Sequence, residues 1–147
     1  MISAIKKTVT VPLTPQEAFR VFTSDLSLWW PVETHSVSAG MGAPSNSVAL
    51  NSGVGGEIEE IAYDGTKHVW GKVTEWRQNE KVAFTWHPRK SEDRQTLVEV
   101  SFEGNQSGTT LTLVHSGWEK LGEEDQKLRP NYTEGWNGVL ERFLNAV

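Results

Sequence analysis

The sequence predicts an α+β domain: a curved antiparallel sheet, built in chain order from one strand, two short helices and six further strands, wrapped around a long C-terminal helix. Three observations carry this reading. From residue 47 to residue 116 the chain runs in short alternating segments separated by turn chemistry, the pattern of an antiparallel meander. Its end carries one apolar stripe at helical period, Tyr132, Trp136, Val139, Leu140, Phe143 and Leu144. The 7 tryptophans are spread over the opening helical segment, the strand runs and the closing helix, as they would be around a concavity.

Residues 7–11 alternate, with Val9 and Val11 on one face, and Pro12 ends this first strand. Thr14-Pro15-Gln16-Glu17 is a helix start, with Thr14 as N-cap, Pro15 in the first turn and Glu17 closing a capping box. Ala18, Phe19, Val21, Phe22 and then Leu26 supply an apolar face at helical spacing. Ser24-Asp25 begins a second, shorter helix that ends at Trp29-Trp30, before Pro31. Residues 33–46, with Gly40, Gly42, Pro44 and several serines, read as a long irregular loop, of the kind that is functional or mobile. Strand runs follow at 47–51, 56–62, 67–76, 81–87, 95–103 and 109–116, and a polar linker containing Glu123-Glu124-Asp125 leads to the terminal helix. A curved sheet with one apolar face needs a cover, and only that helix is long enough. A straight helix cannot follow a curved sheet along its whole length, so a gap is expected between them.

At 147 residues the chain is expected to form a single domain, residues 1–147. Its net charge of −5 argues against a nucleic-acid or anionic-membrane partner. The basic pairs Lys6-Lys7 and Arg89-Lys90 read as solvated surface. With 0 cysteines, disulfides, thiol catalysis and sulfur-ligated metals are excluded. No signal-peptide core and no membrane-length apolar run is present, so the expected location is cytoplasmic.

No cofactor and no metal site is expected, because Glu33 and His35 have no third ligand at useful spacing. Glu59-Glu60 reads as solvated surface, and there is neither a Gly-x-Ser-x-Gly elbow nor a Ser/His/Asp set. The glycine-rich residues 53–56 lack the Lys-Ser/Thr ending of a phosphate cradle. His115 shares a strand face with Leu111 and Leu113 and is expected inside, as a polar handle for a ligand or as a core histidine satisfied by a backbone carbonyl. His87 is expected to face away from Val82, Phe84 and Trp86. Alternation also puts Trp70 and Trp76 opposite Val69, Gly71 and Val73, with at least one of the two tryptophans outside any cavity. No catalytic residue is assigned. The expected ligand site has walls of Trp30, Trp86, Trp136, Val139 and Phe143, with His115 inside and His35 at the rim. Such a site suits an apolar aromatic, polycyclic or lipid-like molecule.

Ordered motifs along nearly the whole chain resemble the START/Bet v 1-like, helix-grip superfamily, and within it the domains similar to the activator of Hsp90 ATPase. They are Pro15 to Phe22 leading to Trp29-Trp30-Pro31, Gly55-Gly56-Glu57, Trp70-Gly71-Lys72-Val73-Thr74-Glu75-Trp76, Thr85-Trp86, Gly108 to Leu113 with His115, and Gly135-Trp136 before Val139-Leu140. The resemblance implies the helix-grip fold and a cavity between sheet and terminal helix. Relatives bind lipids, hormones or polycyclic natural products, some catalyse cyclisations, some sequester toxic metabolites in a stress response, and one eukaryotic member assists a chaperone. It therefore implies two alternatives to simple ligand binding: an Hsp90-type co-chaperone or ATPase regulator, and a cyclase- or hydrolase-type enzyme using His115. With the sequence forming one domain only, ATPase stimulation is not the expected role.

Overall fold

In the computed structural model, which describes residues 4–43, 45–87, 95–122, 126–127 and 129–147, β1 (Ile5–Val11) leads through Pro12 into α1 (Pro15–Phe22). The expected capping box is present: Glu17 N–H donates to Thr14 Oγ1 at 3.2 Å, and Thr14 N–H donates back to Glu17 Oε1 at 3.2 Å. A one-turn helix, α2 (Leu26–Trp29), follows. The meander then runs through β2 (Ser47–Leu50), β3 (Glu57–Ile61), β4 (Lys67–Arg77), β5 (Lys81–Trp86), β6 (Thr96–Asn105) and β7 (Gly108–Ser116). The long helix α3 (Arg129–Asn145) closes the chain. The charged stretch 88–94, with Arg89-Lys90, and the acidic run 123–125 lie outside the described residues.

The strands form one antiparallel sheet in the order β1-β7-β6-β5-β4-β3-β2. Every strand from β2 to β7 pairs with its neighbour in sequence, whereas β1 joins the far edge against β7. The sheet is curled, and α3 lies on its inner face, burying Trp136, Val139, Leu140 and Phe143. Phe143 meets Phe22 of α1 and Trp29 of α2, with ring centroids at 5.6 and 5.2 Å. Trp136, two turns earlier, meets Trp30 and Trp86. The helix thus bridges the first two helices and the middle of the sheet.

Strand β4 corrects the alternation drawn from sequence. Glu59 pairs with Val69 and Ile58 with Gly71, leaving Trp70 as an extra residue. Val73 pairs with Phe84 and Glu75 with Ala83, leaving Thr74 as a second. Each bulge resets the two-residue alternation. Trp70, Val73 and Trp76 therefore all serve the inner face: Trp70 and Val73 are buried, and half-buried Trp76 sets its ring against Phe19 at 5.0 Å. At the first bulge the strands crowd together, and a Cβ on Gly71 would stand 1.7 Å from the Thr85 carbonyl oxygen. Lys72 N–H, displaced from the regular ladder, donates to Thr85 Oγ1 at 2.9 Å. His87, expected on the outer face, is buried at the end of β5, its N–H on the Trp70 carbonyl at 2.6 Å.

Residues 33–43 are also more closely tied to the sheet than their composition suggests. Glu60, expected on the surface, is fully buried on the inner face beside Val48 and Ile58. Its carboxyl group accepts from Val37 N–H at 2.7 Å, Ser38 N–H at 3.0 Å and the Trp70 indole at 3.1 Å. Ser38 Oγ accepts from Tyr63 N–H at 2.9 Å, and Ser36 Oγ from Ala39 N–H at 2.9 Å. A loop rich in small polar residues thereby has its backbone donors satisfied by side chains. Beyond it, Glu33 pairs with Arg142 of α3, and the half-buried His35 ring lies over Gly135 and Gly138.

Candidate functional site

Between α3 and the sheet the side chains leave a narrow apolar cavity. Helix α1 contributes Phe22; Leu26 opens α2 and Trp30 caps its end. Leu50 and Ile58 come from β2 and β3, Phe84 and Trp86 from β5, and Trp136 from α3. Its volume is about 10 Å³, the space of a single water and far below the roughly 300–1,000 Å³ of ordinary ligand sites. The gap expected from sheet curvature is filled by rings. Trp30, Trp70, Trp86 and Trp136 form one packed cluster: Trp30 to Trp70 is 5.4 Å, Trp70 to Trp86 5.6 Å, Trp86 to Trp136 5.4 Å and Trp30 to Trp136 6.2 Å between centroids.

Of the sequence-predicted site residues, Trp30, Trp86 and Trp136 converge on this cavity. Val139 and Phe143 are buried on the same helix but do not line it; Phe143 is engaged with Phe22 and Trp29. His35 is packed on α3 away from the cavity, with Thr34 Oγ1 2.7 Å from its Nδ1 and burial holding its pKa below the ordinary histidine value. The His35 carbonyl accepts from the Trp30 indole at 2.7 Å, so the loop fixes Trp30 through its backbone.

His115 is fully buried behind the cavity wall. The Trp136 indole can only donate, so His115 Nδ1 is its acceptor at 3.0 Å. The proton therefore sits on Nε2, which is 2.6 Å from Thr96 Oγ1, and the Thr96 hydroxyl passes on to the Trp86 carbonyl at 3.2 Å. Both ring nitrogens are used within the fold. Burial, with Arg129 adding a smaller effect, pushes the His115 pKa down to about 3, which keeps the ring neutral. This is a core histidine held by side chains rather than by the expected backbone carbonyl. Its bonds position two tryptophans of the wall, Trp136 directly and Trp86 through Thr96.

Hydrogen bonding sets one indole apart. Trp29, Trp76 and Trp118 donate to Val21 O, Gln78 Oε1 and His115 O. Trp30, Trp70 and Trp136 have the partners given above. Trp86 Nε1 is buried and has no partner among the described residues, in a residue only 6% exposed. A buried unpaired donor costs about 1–3 kcal/mol.

Sequence reasoning missed Glu60 and Thr96, and it did not assign Phe22, Leu26, Leu50, Ile58 or Phe84 to the cavity wall. Ile58 and Glu60 share parity within the run 56–62, which was the available signal that Glu60 faces inward. Among the described residues no cluster of His, Asp or Glu could hold a metal ion, and no helix is long and apolar enough to cross a membrane.

A curled antiparallel sheet closed by its C-terminal helix, with an aromatic cluster between them, defines a helix-grip domain. Residues 12–147 match the family described as Activator of Hsp90 ATPase homolog 1-like protein, and the chain belongs to that family. Among solved structures it is similar to an anthrahydroquino-gamma-pyrone synthase, Txn09, solved in complex with SUM. The identity is 27%, the TM-score 0.65, and the match covers 99% of this chain and 97% of that one. The Aha1 dimer from Colwellia psychrerythraea shares the fold at 18% identity and TM-score 0.69, covering 99% and 96%. DynU16, from the dynemicin biosynthetic locus, shares it at 17% identity and TM-score 0.62; this chain spans 99% of itself but 47% of that protein. No curated protein matches the sequence.

Proposed function

We propose that the protein binds an apolar small molecule, aromatic, polycyclic or lipid-like, in a space that opens between the sheet and α3. The observation carrying this reading is the wall itself: among the described residues it is made of apolar and aromatic side chains that converge from six elements of the fold. A cavity of about 10 Å³ must widen before any such ligand enters. Trp30 is the wall residue suited to move. It follows a helix of 4 residues and is held at its polar end by one hydrogen bond to the 31–35 turn, whereas Trp86 is fixed in the sheet. The likeness to a synthase solved with a bound compound supports the same reading.

Titration with an apolar aromatic compound should change tryptophan emission saturably. Trp136→Ala should weaken that binding more than Trp76→Ala, because Trp136 is a wall and Trp76 packs on Phe19. Equal losses in two folded variants would place the ligand elsewhere. His115 offers little to an enzyme reading, since donating or accepting a proton would first break its bonds to Trp136 or Thr96. Family membership supports a second reading, docking to an Hsp90-type chaperone. Stoichiometric addition to a cognate Hsp90 should leave ATP turnover unchanged if ligand binding is the role, and a reproducible several-fold rise would favour the chaperone reading.

A further inference from the structure

Independently of any ligand, we infer that Trp70 and Glu60 form a redox pair. When a diffusible one-electron oxidant, a radical or a photo-oxidised complex, oxidises the aromatic cluster, the electron comes from Trp70 and the indole proton passes to Glu60. Glu60 is 0% exposed, and its three partners, the amides of Val37 and Ser38 and the Trp70 indole, all donate. That is what a carboxylate with no proton of its own requires. No cation pairs with it among the described residues. The fold thus keeps a buried negative charge 3.1 Å from an indole nitrogen.

Trp70 lies 5.4 Å from Trp30 and 5.6 Å from Trp86, and Trp136 packs against both of those rings. Rings in contact exchange electrons readily, so a vacancy made on any of the four settles where it is most stable. An oxidised indole is a cation and a strong N–H acid, and its hydrogen-bond partner therefore decides the matter. Trp30 faces the His35 carbonyl, which cannot keep a proton, and Trp86 Nε1 has no partner among the described residues. Trp136 faces His115 Nδ1, where the proton would create an imidazolium that burial already disfavours. Oxidation of any of these three leaves a new positive charge in the core. At Trp70 the vacancy forms beside a negative charge, and proton transfer leaves both partners neutral. Only there does oxidation remove a buried charge, and an interior favours that change. The step balances: the oxidant gains one electron, the Trp70 N–H bond breaks and an O–H bond forms on Glu60. A neutral tryptophanyl radical then stands beside a neutral carboxylic acid.

The test is flash oxidation. Photo-excited ruthenium tris-bipyridine, quenched by a cobalt(III) ammine, supplies the oxidant, and transient absorption distinguishes cationic from neutral tryptophanyl radicals. Trp76→Phe, Tyr63→Phe and Tyr132→Phe, made together, give a parent protein without the half-buried indole and without tyrosine. The parent should yield the neutral radical, and its rise should slow after unfolding and refolding in D2O. Trp70→Phe in that parent should lose most of the neutral-radical band. Glu60→Gln keeps the shape but has neither charge nor base, and should leave the cation radical as the species observed. A carboxylate that only straps residues 37–38 to the sheet would change urea stability and leave the radical species alone. A cation radical in the parent, an undiminished neutral radical in folded Trp70→Phe or Glu60→Gln, or no oxidation of the parent would overturn the inference. Should neither variant fold, a rise in the parent that is equally fast in H2O and D2O would overturn it.

Discussion

Glu60 should be among the most costly side chains in the molecule to remove, although it touches neither the cavity nor solvent. Glu60→Ala strands three donors. Two belong to residues with no meaningful exposure, Ser38 at 0% and Trp70 at 1%, and the third is the amide of half-buried Val37. At ~1–3 kcal/mol for each fully buried unpaired donor, the two alone amount to ~2–6 kcal/mol. A domain of this kind has about 5–15 kcal/mol in total. With a urea m-value of about 2 kcal/mol per M, a loss of ~4 kcal/mol moves the midpoint down by about 2 M. Glu60→Gln keeps one carbonyl acceptor but turns an NH₂ group toward a donor, and should fall between Ala and wild type. Trp70→Phe removes only the indole bond, so a double-mutant cycle with Glu60→Ala should show coupling of ~0.5–3 kcal/mol. If Glu60→Ala unfolds within about 0.5 kcal/mol of wild type, the range of an ordinary surface change, the carboxyl group is not what holds the 37–38 segment to the sheet.

Acid should weaken the fold through His115. Its folded pKa of about 3 lies below the ~6.5 of an unfolded histidine, so the unfolded chain takes up the proton first as pH falls. The stability it supports is complete above ~6.5 and is lost toward 3 at up to ~1.4 kcal/mol per pH unit. Unfolding free energies at pH 7.5 and 5 should therefore differ by ~2 kcal/mol from this residue alone, a shift of about 1 M in the urea midpoint, and a folded His115→Gln variant should show a correspondingly flatter profile. Gly71→Ala puts a methyl group 1.7 Å from the Thr85 carbonyl oxygen, so β4 and β5 must separate; a loss of stability below ~1 kcal/mol would contradict that geometry. Gly138→Leu should expel the His35 ring, whose Cε1 lies 3.5 Å from a Cβ at Gly138, whereas Gly138→Ala makes only ordinary contact. Faster hydrogen exchange at the Trp30 indole in the Leu variant alone is the expected signature.

The strand order's ingredients were legible because local chemistry wrote them. The capping box at Thr14, the turn residues between strand runs and the stripe from Trp136 to Phe143 each act within a few residues of themselves. What escaped depends on partners far along the chain. The inward turn of Trp70, Val73 and Trp76 rests on bulges set by pairing with both β3 and β5. Burial of Glu60 depends on amides some 22 residues away, so a polar residue in an alternating run looked like surface. Convergence of Trp30, Trp86 and Trp136 could be anticipated from their elements, but the near-closure of the space between them depends on ring orientation, which no spacing encodes. The same holds for His115: its inward direction follows from alternation, whereas its partners Thr96 and Trp136 come from two other elements.

The packing of Trp30, Trp70, Trp86 and Trp136 also has an optical consequence. Indoles with centroids 5.4–6.2 Å apart pass excitation among themselves faster than they emit, and their transition dipoles couple. Ultraviolet light absorbed by any member is shared across the set. The near-ultraviolet dichroism of this protein is therefore a property of the cluster's arrangement and not a sum over separate residues. A swing of Trp30 alone would reshape the whole spectrum, so the protein carries an intrinsic, label-free gauge of whether its interior is shut.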